Sequence, residues 1–392
     1  MPAIWYIQFC TARWGAEIIR ICYLANASSI HTRRLASFFA RKHEVHIISF
    51  EEGKIDGGIV HRIRMPFISR NKTFPLKLLY LGRIRRLVEE IDPDVIHAVY
   101  VTNYGFFASK CDIHPFVLTA IGSDVLSLDT ELRIVQWVKR RLACSALRKA
   151  DVITTNGLNT AQRMQQLGVK SQDIKTFQFG IDVDKFRHSK RGLLLKKELG
   201  LSGPIVISSR NFYPVYDVET LVRAIPFVLR RFPTALFLIA GRGSEEGKLR
   251  ALAGSLNITE KVRFVGHIPN DGLPNYLSAA DVYVSTSLSD SSVSVSTAEA
   301  MACELPVIVT DVADNRKWVD DGVNGFVVPS KDPKSLAEKI VFLLEHEDVR
   351  KRFGKINRLI IEDRDNYVKE MSKLEEIYKK AVERYDMPQK ER

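Results

Sequence analysis

Short apolar runs alternate with helical patterns along this chain, stop at a polar seam, and then start again. The first series runs through IleCysTyrLeuAla (21–25) and GluValHisIleIleSerPhe (44–50), with further strands near 94–100, 115–121, 151–156 and 174–179. Amphipathic spacing fills the gaps: Ile30, Leu35, Phe38 and Phe39 mark one helix, and 76–91 and 131–149 carry two more. GlyIleAspValAspLysPhe (180–186) then leads into a polar stretch containing SerLysArgGly (189–192). Beyond it the pattern returns in 204–210, 235–241, 262–266, 281–287 and 306–310, with a helix capped by Asp217 after the first of these. Largely apolar strands alternating with helices predict parallel sheets covered on both faces. The restart predicts an α/β chain of two tandem doubly wound, Rossmann-like domains facing a cleft. The expected units are 19–187 and 188–360; a charged helical pattern runs over 356–385, and a C-terminal helix segment, 361–392, is expected to pack back on the first domain. Residues 1–18, with Trp5, Tyr6, Phe9 and Trp14, read as a tail or an upstream translation start.

Composition fits this division. At 392 residues, 45% hydrophobic and 27% charged, there is enough apolar chain for two cores. No apolar run reaches the length of a membrane-spanning helix. Cys10, Cys22, Cys111, Cys144 and Cys303 are scattered without metal-ligand spacing, so the reading expects a reducing, cytoplasmic setting and no metal site. The net charge of +12 is lopsided. Residues 1–190 hold 28 Lys and Arg against 17 Asp and Glu, whereas 191–392 hold 30 against 29. A basic first half suits an anionic partner such as acidic lipid head groups at the inner face of the membrane, or a pyrophosphate-bearing substrate. No zinc finger or RNA-binding signature is present, so nucleic acid is not expected.

Residues 285–311 concentrate the chemistry. They read as strand, Ser-rich loop, helix and strand, with Glu299 expected in the first helical turn. A helix start offers free N–H groups and a positive dipole end to an anion, through the backbone of Ser294, Val295 and Ser296 whatever their side chains. Glu299 has two readings: an acceptor for ribose hydroxyls, or the acid of a capping box beginning at Ser296. Arg210 ends a predicted strand and could meet a diphosphate, or it is a solvated strand-end cation. Asp290 suits sugar hydroxyls or a loop turn. Gly241 begins a GlyArgGlySer turn rather than a full dinucleotide fingerprint, and His267 and Ile268 follow another strand end. In the first half, Asn26 and Ser28 sit at the first strand–helix junction, His31 lies one turn on, and Asp124 closes AlaIleGlySerAsp. Each of these also has a plain structural use as a cap, a turn or a satisfied side chain.

The order of several fragments resembles the retaining glycosyltransferases of family 4, which have the GT-B fold. They are the opening IleArgIleCysTyrLeuAlaAsnAlaSerSer, ProAspValIleHis (93–97), AlaIleGlySerAsp (120–124), AlaAspValIleThr (150–154) and PheGlyIleAspValAspLysPhe (179–186). GluAlaMetAlaCysGluLeuProValIle (299–308) and AspGlyValAsnGlyPheValValPro (321–329) are the most specific. The resemblance covers roughly 19–385. It implies sugar transfer from a nucleoside diphosphate sugar to a glycan or lipid-linked acceptor, with retention and without a metal or other cofactor. It assigns the acceptor to the first domain and the donor to the second. Catalytic roles then fall to Arg210, Asp124 and His31. Donor contacts fall to Glu299, Asp290, Ser291, Ser294, Val295, Ser296, Tyr216, Gly241, His267 and Ile268, and acceptor-side contacts to Asn26 and Ser28.

Three positions depart from the family pattern. Ser291 stands where an acid is common, Tyr216 where a lysine is common, and Glu304 where a glycine is common. The diphosphate grip is left with one cation, Arg210. Two rivals stay open on the sequence: a GT-B sugar-nucleotide epimerase and a non-catalytic nucleotide-sugar-binding protein.

Overall fold

The computed structural model describes residues 18–65, 74–126, 128, 133–198, 200 and 203–386. The first sheet has seven strands: β1 (Arg20–Leu24), β2 (Glu44–Ser49), β3 (Ile59–Arg62), β4 (Val95–Val99), β5 (Phe116–Ala120), β6 (Val152–Thr155) and β7 (Ile174–Thr176). The second has six: β8 (Ile205–Ser208), β9 (Leu236–Ala240), β10 (Val262–Gly266), β11 (Val282–Ser285), β12 (Val307–Thr310) and β13 (Gly325–Val328). Their orders are β3-β2-β1-β4-β5-β6-β7 and β10-β9-β8-β11-β12-β13, parallel throughout. The alternating side chains of one strand feed two cores. In β1, Cys22 and Leu24 join the cluster holding Ile84 and Phe107, while Ile21 and Tyr23 join the one holding Leu35 and Phe39. Each such aliphatic side chain contributes about 1.5–3 kcal/mol on burial.

Both orders reverse direction once, between β1 and β4 and between β8 and β11. Beyond the carboxyl ends of strands at such a reversal the flanking loops part and leave a crevice. The two crevices face each other here, which places the cleft.

The strands expected from apolar runs are all present. The reading did not foresee β3 and β13, which lie at sheet edges and are four residues each. The pattern at 356–385 is not one helix. It is the end of Glu347–Arg364 and most of Tyr367–Asp386, broken at Asp365 and Asn366. Tyr367–Asp386 packs on the first sheet: Met371, Leu374 and Tyr378 share a core with Tyr23 and Phe39, and the Tyr378 hydroxyl lies 3.0 Å from that of Tyr23 and 2.5 Å from His97 Nδ1. The chain therefore crosses between the sheets twice, and the crossings are joined. Ile181 N–H donates to Asp365 O at 2.7 Å, and Tyr367 N–H donates to Ile181 O at 3.0 Å. The expected tail lies outside the described residues except for exposed Ile18. Cys22, Cys111, Cys144 and Cys303 are free thiols, and Cys10 lies outside the described residues.

Candidate active site

The cleft between the sheets has a volume of about 1570 Å³ and is lined from both halves. Arg210 enters it just beyond β8. The side chain is 8% exposed, and one guanidinium nitrogen donates to both Asp290 carboxylate oxygens at 2.8 and 3.1 Å. The other terminal nitrogen donates to Ser296 Oγ at 3.2 Å, and the planar group lies 4.2 Å over the Tyr216 ring. Cation, carboxylate and aromatic face thus fix one another. Asp290, expected on sugar hydroxyls, is the counter-ion of Arg210 in this structure. Tyr216, at the family's lysine position, supports the remaining cation with its ring. Gly241 lies against this assembly at φ +145°, where a Cβ would stand 2.5 Å from Arg210 O, so only glycine fits the turn.

The helix Val295–Ala302 points its N-terminus into the same crevice. Its cap is Ser294, whose Oγ accepts from Thr297 N–H at 3.2 Å. This corrects two expectations. Ser296 is not the cap, and Glu299 lies in the second turn, out of reach of a capping box. The N–H groups of Val295 and Ser296 stand at the helix start, where no intrahelical acceptor exists. Glu299 is 5% exposed, and its Oε1 accepts from Arg34 at 2.6 Å and from Asn270 Nδ2 at 3.3 Å. Burial pushes its pKa up, and Arg34 and Asn270 oppose that rise. His267 and Ile268 line the cleft beyond β10.

Ser291 does something the sequence did not suggest. It is seated in a notch of the first half, where a Cβ on Gly157 would fall 1.8 Å from Ser291 O and one on Gly122 would fall 2.5 Å from Ser291 Cβ. Its hydroxyl lies 2.7 Å from Asn156 Oδ1 and 2.7 Å from Thr160 Oγ1. Nearby, Asp314 of the second half accepts from Leu158 N–H at 2.7 Å, at the start of the helix Leu158–Gln166. The loop that carries Ser291 is thus docked on the opposite half.

On the first half, His31 lines the cleft, packs tilted against Phe179 at 4.4 Å between ring centroids, and has no partner at Nδ1 among the described residues. Burial, then Arg34, drives its pKa down to about 4, so the ring is neutral near pH 7. Asp124 is placed otherwise than expected. It is 4% exposed, lies behind the cleft wall, and accepts N–H groups from Val101, Ile121 and Gly122 at 2.7, 3.1 and 3.0 Å. Burial still lifts its pKa to about 6 against those bonds. Its geometry braces a loop and leaves no oxygen turned to a substrate. Asn26 lines the cleft, but its Oδ1 closes a turn on Ser28 N and Oγ at 2.8 and 2.7 Å, and Ser28 faces solvent outside the cleft.

Comparison with known proteins agrees with this architecture. A model described as glycosyl transferases group 1 matches residues 195–359, and one described as glycosyl transferase 4-like matches residues 20–157. The chain is a family 4-type glycosyltransferase of GT-B fold. A phosphatidyl-myo-inositol mannosyltransferase of Mycobacterium leprae is 29% identical over 69% of this chain and 70% of its own. An N-acetyl-alpha-D-glucosaminyl L-malate synthase of Bacillus anthracis is 24% identical over 86% and 89%. Among solved structures, Anabaena HepE in complex with UDP and glucose superimposes with a TM-score of 0.78 at 18% identity, covering 92% of this chain and 99% of that one. WaaG, a glycosyltransferase of lipopolysaccharide biosynthesis, gives 0.74 at 16% over 92% and 99%.

Several cleft residues of this glycosyltransferase were missed in the sequence. Arg34 and Asn270 hold Glu299. Tyr100 sits between β4 and a π-helical turn at φ +90°, its hydroxyl 2.8 Å from Ser123 Oγ. Such backbone in a bulky residue is costly and clusters at functional sites. Glu51 lines the cleft from the first half, bonded by the Tyr104 hydroxyl and 3.5 Å from Lys77 Nζ. The one available signal was position: Arg34 follows the first strand, and Tyr100 the strand at the reversal.

Proposed function

We propose that this enzyme moves a sugar from a nucleoside diphosphate sugar to a glycan or lipid-linked acceptor, with retention and without a metal. The observation that carries the reading is the convergence of Arg210, the helix N-terminus at Val295 and Ser296, and Glu299 on one crevice. A cation and free N–H groups would hold the diphosphate, and a buried carboxylate the ribose. Tyr216 would brace the cation. Gly241, His267 and Ile268 would border the nucleoside, while Asn26, His31, Tyr100 and Glu51 face the donor from the acceptor side.

In the proposed step the bond from the anomeric carbon to the diphosphate breaks and one to the acceptor oxygen forms on the same face. The acceptor proton passes to the leaving phosphate. Arg210 and the helix N–H groups take the charge as it develops. Asp290 and Asp124 are bonded to protein groups through both oxygens and Glu299 is given to the ribose, so the proposed step calls on no covalent nucleophile. The relatives described above are named for transfer or synthesis, which favours this reading over an epimerase or a passive binder.

The test is product analysis on a panel of UDP-, GDP- and ADP-sugars with EDTA present. A glycosylated product of retained anomeric configuration is expected. An inverted product, an epimerised donor, or activity that returns only with added manganese or magnesium would defeat the reading. Among the described residues no cluster of three or more His, Cys, Asp or Glu is placed to hold a metal, and the proposed grip uses none.

The acceptor side is proposed to work at an anionic membrane surface. Among the described residues no helix is long and apolar enough to cross a membrane. The helix Arg133–Lys149, however, exposes Ile134 at 80% and Trp137 at 59%, and Arg140, Arg141 and Arg148 line a 950 Å³ depression beside it. Leu79 is 78% exposed in the stretch 76–91, which also carries Arg83, Arg85 and Arg86. Apolar and basic side chains mixed on one helix suit a lipid interface, at about 1 kcal/mol per basic residue near an anionic surface. Co-sedimentation with phosphatidylglycerol vesicles is expected at low salt, falling at high salt and absent with phosphatidylcholine. Equal binding to both vesicles, or none at low salt, would remove the membrane from the proposal.

A further inference from the structure

We infer that Arg34 is a positioning residue of the donor site: its guanidinium aims the Glu299 carboxylate and ties it to the double crossing of the chain. The inference rests on the donor reading of Glu299 and deepens it. Arg34 belongs to the helix Ile30–Phe39 of the first half, and Glu299 to the second. Their 2.6 Å contact spans the cleft, with side chains 13% and 6% exposed. A pair so shielded is not a surface accident.

Arg34 is itself fixed at both crossings. A terminal guanidinium nitrogen donates to Gly180 O at 3.4 Å, on the first crossing, and its own carbonyl accepts the Tyr367 hydroxyl at 2.6 Å, just past the second. Gly180 N–H in turn donates to Asp365 Oδ1 at 3.1 Å. Arg34 is thus the point at which hinge backbone and donor carboxylate touch one side chain. Arg34 and Asn270 both bond Oε1 of Glu299, so the other oxygen is the one turned to a ligand hydroxyl. If the two halves part, Glu299 loses its aim and its cation together, so the donor site is complete only when they are closed.

Charge gives a readout that a merely structural role would not move. Besides Arg34, the charged or titratable groups facing Glu299 are Lys185, Asp365 and, on its own helix, Cys303. Lys185 is held by Asp271 at 2.6 Å and by Asn270 Oδ1 at 2.6 Å. Burial already lifts the Glu299 pKa and Arg34 restrains it. The ionised carboxylate is the form that accepts hydroxyls, so affinity is full above its pKa and falls as pH drops through it. Removing Arg34 raises that pKa further and moves the loss of affinity to higher pH.

The experiment is calorimetric titration of UDP and, in parallel, GDP, between about pH 5 and pH 8, into wild type, Arg34→Met, Arg34→Lys and Glu299→Gln, alone and combined. Expected for Arg34→Met are an affinity loss of about 10-fold near neutrality and an acid limb displaced upward. Arg34→Lys should restore part of both, and the Arg34 effect should vanish in the Glu299→Gln background. Unchanged affinity, or a loss equal at every pH in folded Arg34→Met or Arg34→Lys, would overturn the assignment. If Glu299→Gln alone leaves affinity untouched, the donor reading of Glu299 fails instead, which the same data distinguish.

Discussion

Arg210→Ala is expected to lower the transfer rate by about 10²–10³-fold, the usual cost of removing one pre-placed group from the charge that develops in a transition state. Arg210 is buried, aligned before substrate arrives, and the single cation foreseen for the diphosphate grip. The structure also changes what the control must be. A strand-end arginine in solvent would contribute little to stability, but this one donates through one nitrogen to both oxygens of Asp290, itself only 15% exposed. Removing the cation leaves a shielded carboxylate without its counter-ion, and a buried pair broken on one side costs about 3–5 kcal/mol. Arg210→Ala is therefore to be compared with Arg210→Ala combined with Asp290→Asn, by thermal melting and single-turnover transfer. The double variant should recover stability and stay slow. Near wild-type turnover in either folded variant would refute the role.

Glu299→Gln is expected to weaken nucleoside diphosphate binding by about 10- to 150-fold, corresponding to the roughly 1.5–3 kcal/mol of a hydrogen bond to a charged group. Because Glu299 is not the acid of a capping box, helix capping does not complicate the result; Ser294 performs it. The confounding term is Arg34, left buried without its partner. Titration calorimetry read beside the melting temperature separates the two. Lower affinity in a folded variant supports the ribose contact. Unchanged affinity with a lower melting temperature means that Glu299 serves only Arg34.

How much of this was legible in the sequence depends on the range of each interaction. Apolar runs such as Val95–Val99 and Phe116–Ala120 declare themselves because a strand buried on both faces is apolar at most positions, His97 and Thr119 being the hydrogen-bonded exceptions. Edge strands β3 and β13 are short and carry partly exposed positions, so their pattern is weak. The cap was misread because Ser292, Ser294, Ser296 and Thr297 all have capping side chains, and only the backbone path chooses among them. Arg210, Asp290, Tyr216 and Glu299 were found, but not their pairings. Arg34 meets Glu299 across 265 residues, which no local pattern encodes. In the sequence Ser291 reads as a donor contact standing where the family commonly has an acid. Its small size suits a notch formed by Gly122 and Gly157, visible only once the halves are in place.

The return of the last helix to the first sheet also sets the order in which the molecule can be finished. Tyr378 lies 355 residues after Tyr23 in the chain, yet the two hydroxyls share one buried network with His97. As the polypeptide leaves the ribosome, the half made first waits for Tyr378, while the second sheet already has all its described strands once Val328 has emerged. The half made first is thus completed only after every described strand of the half made second.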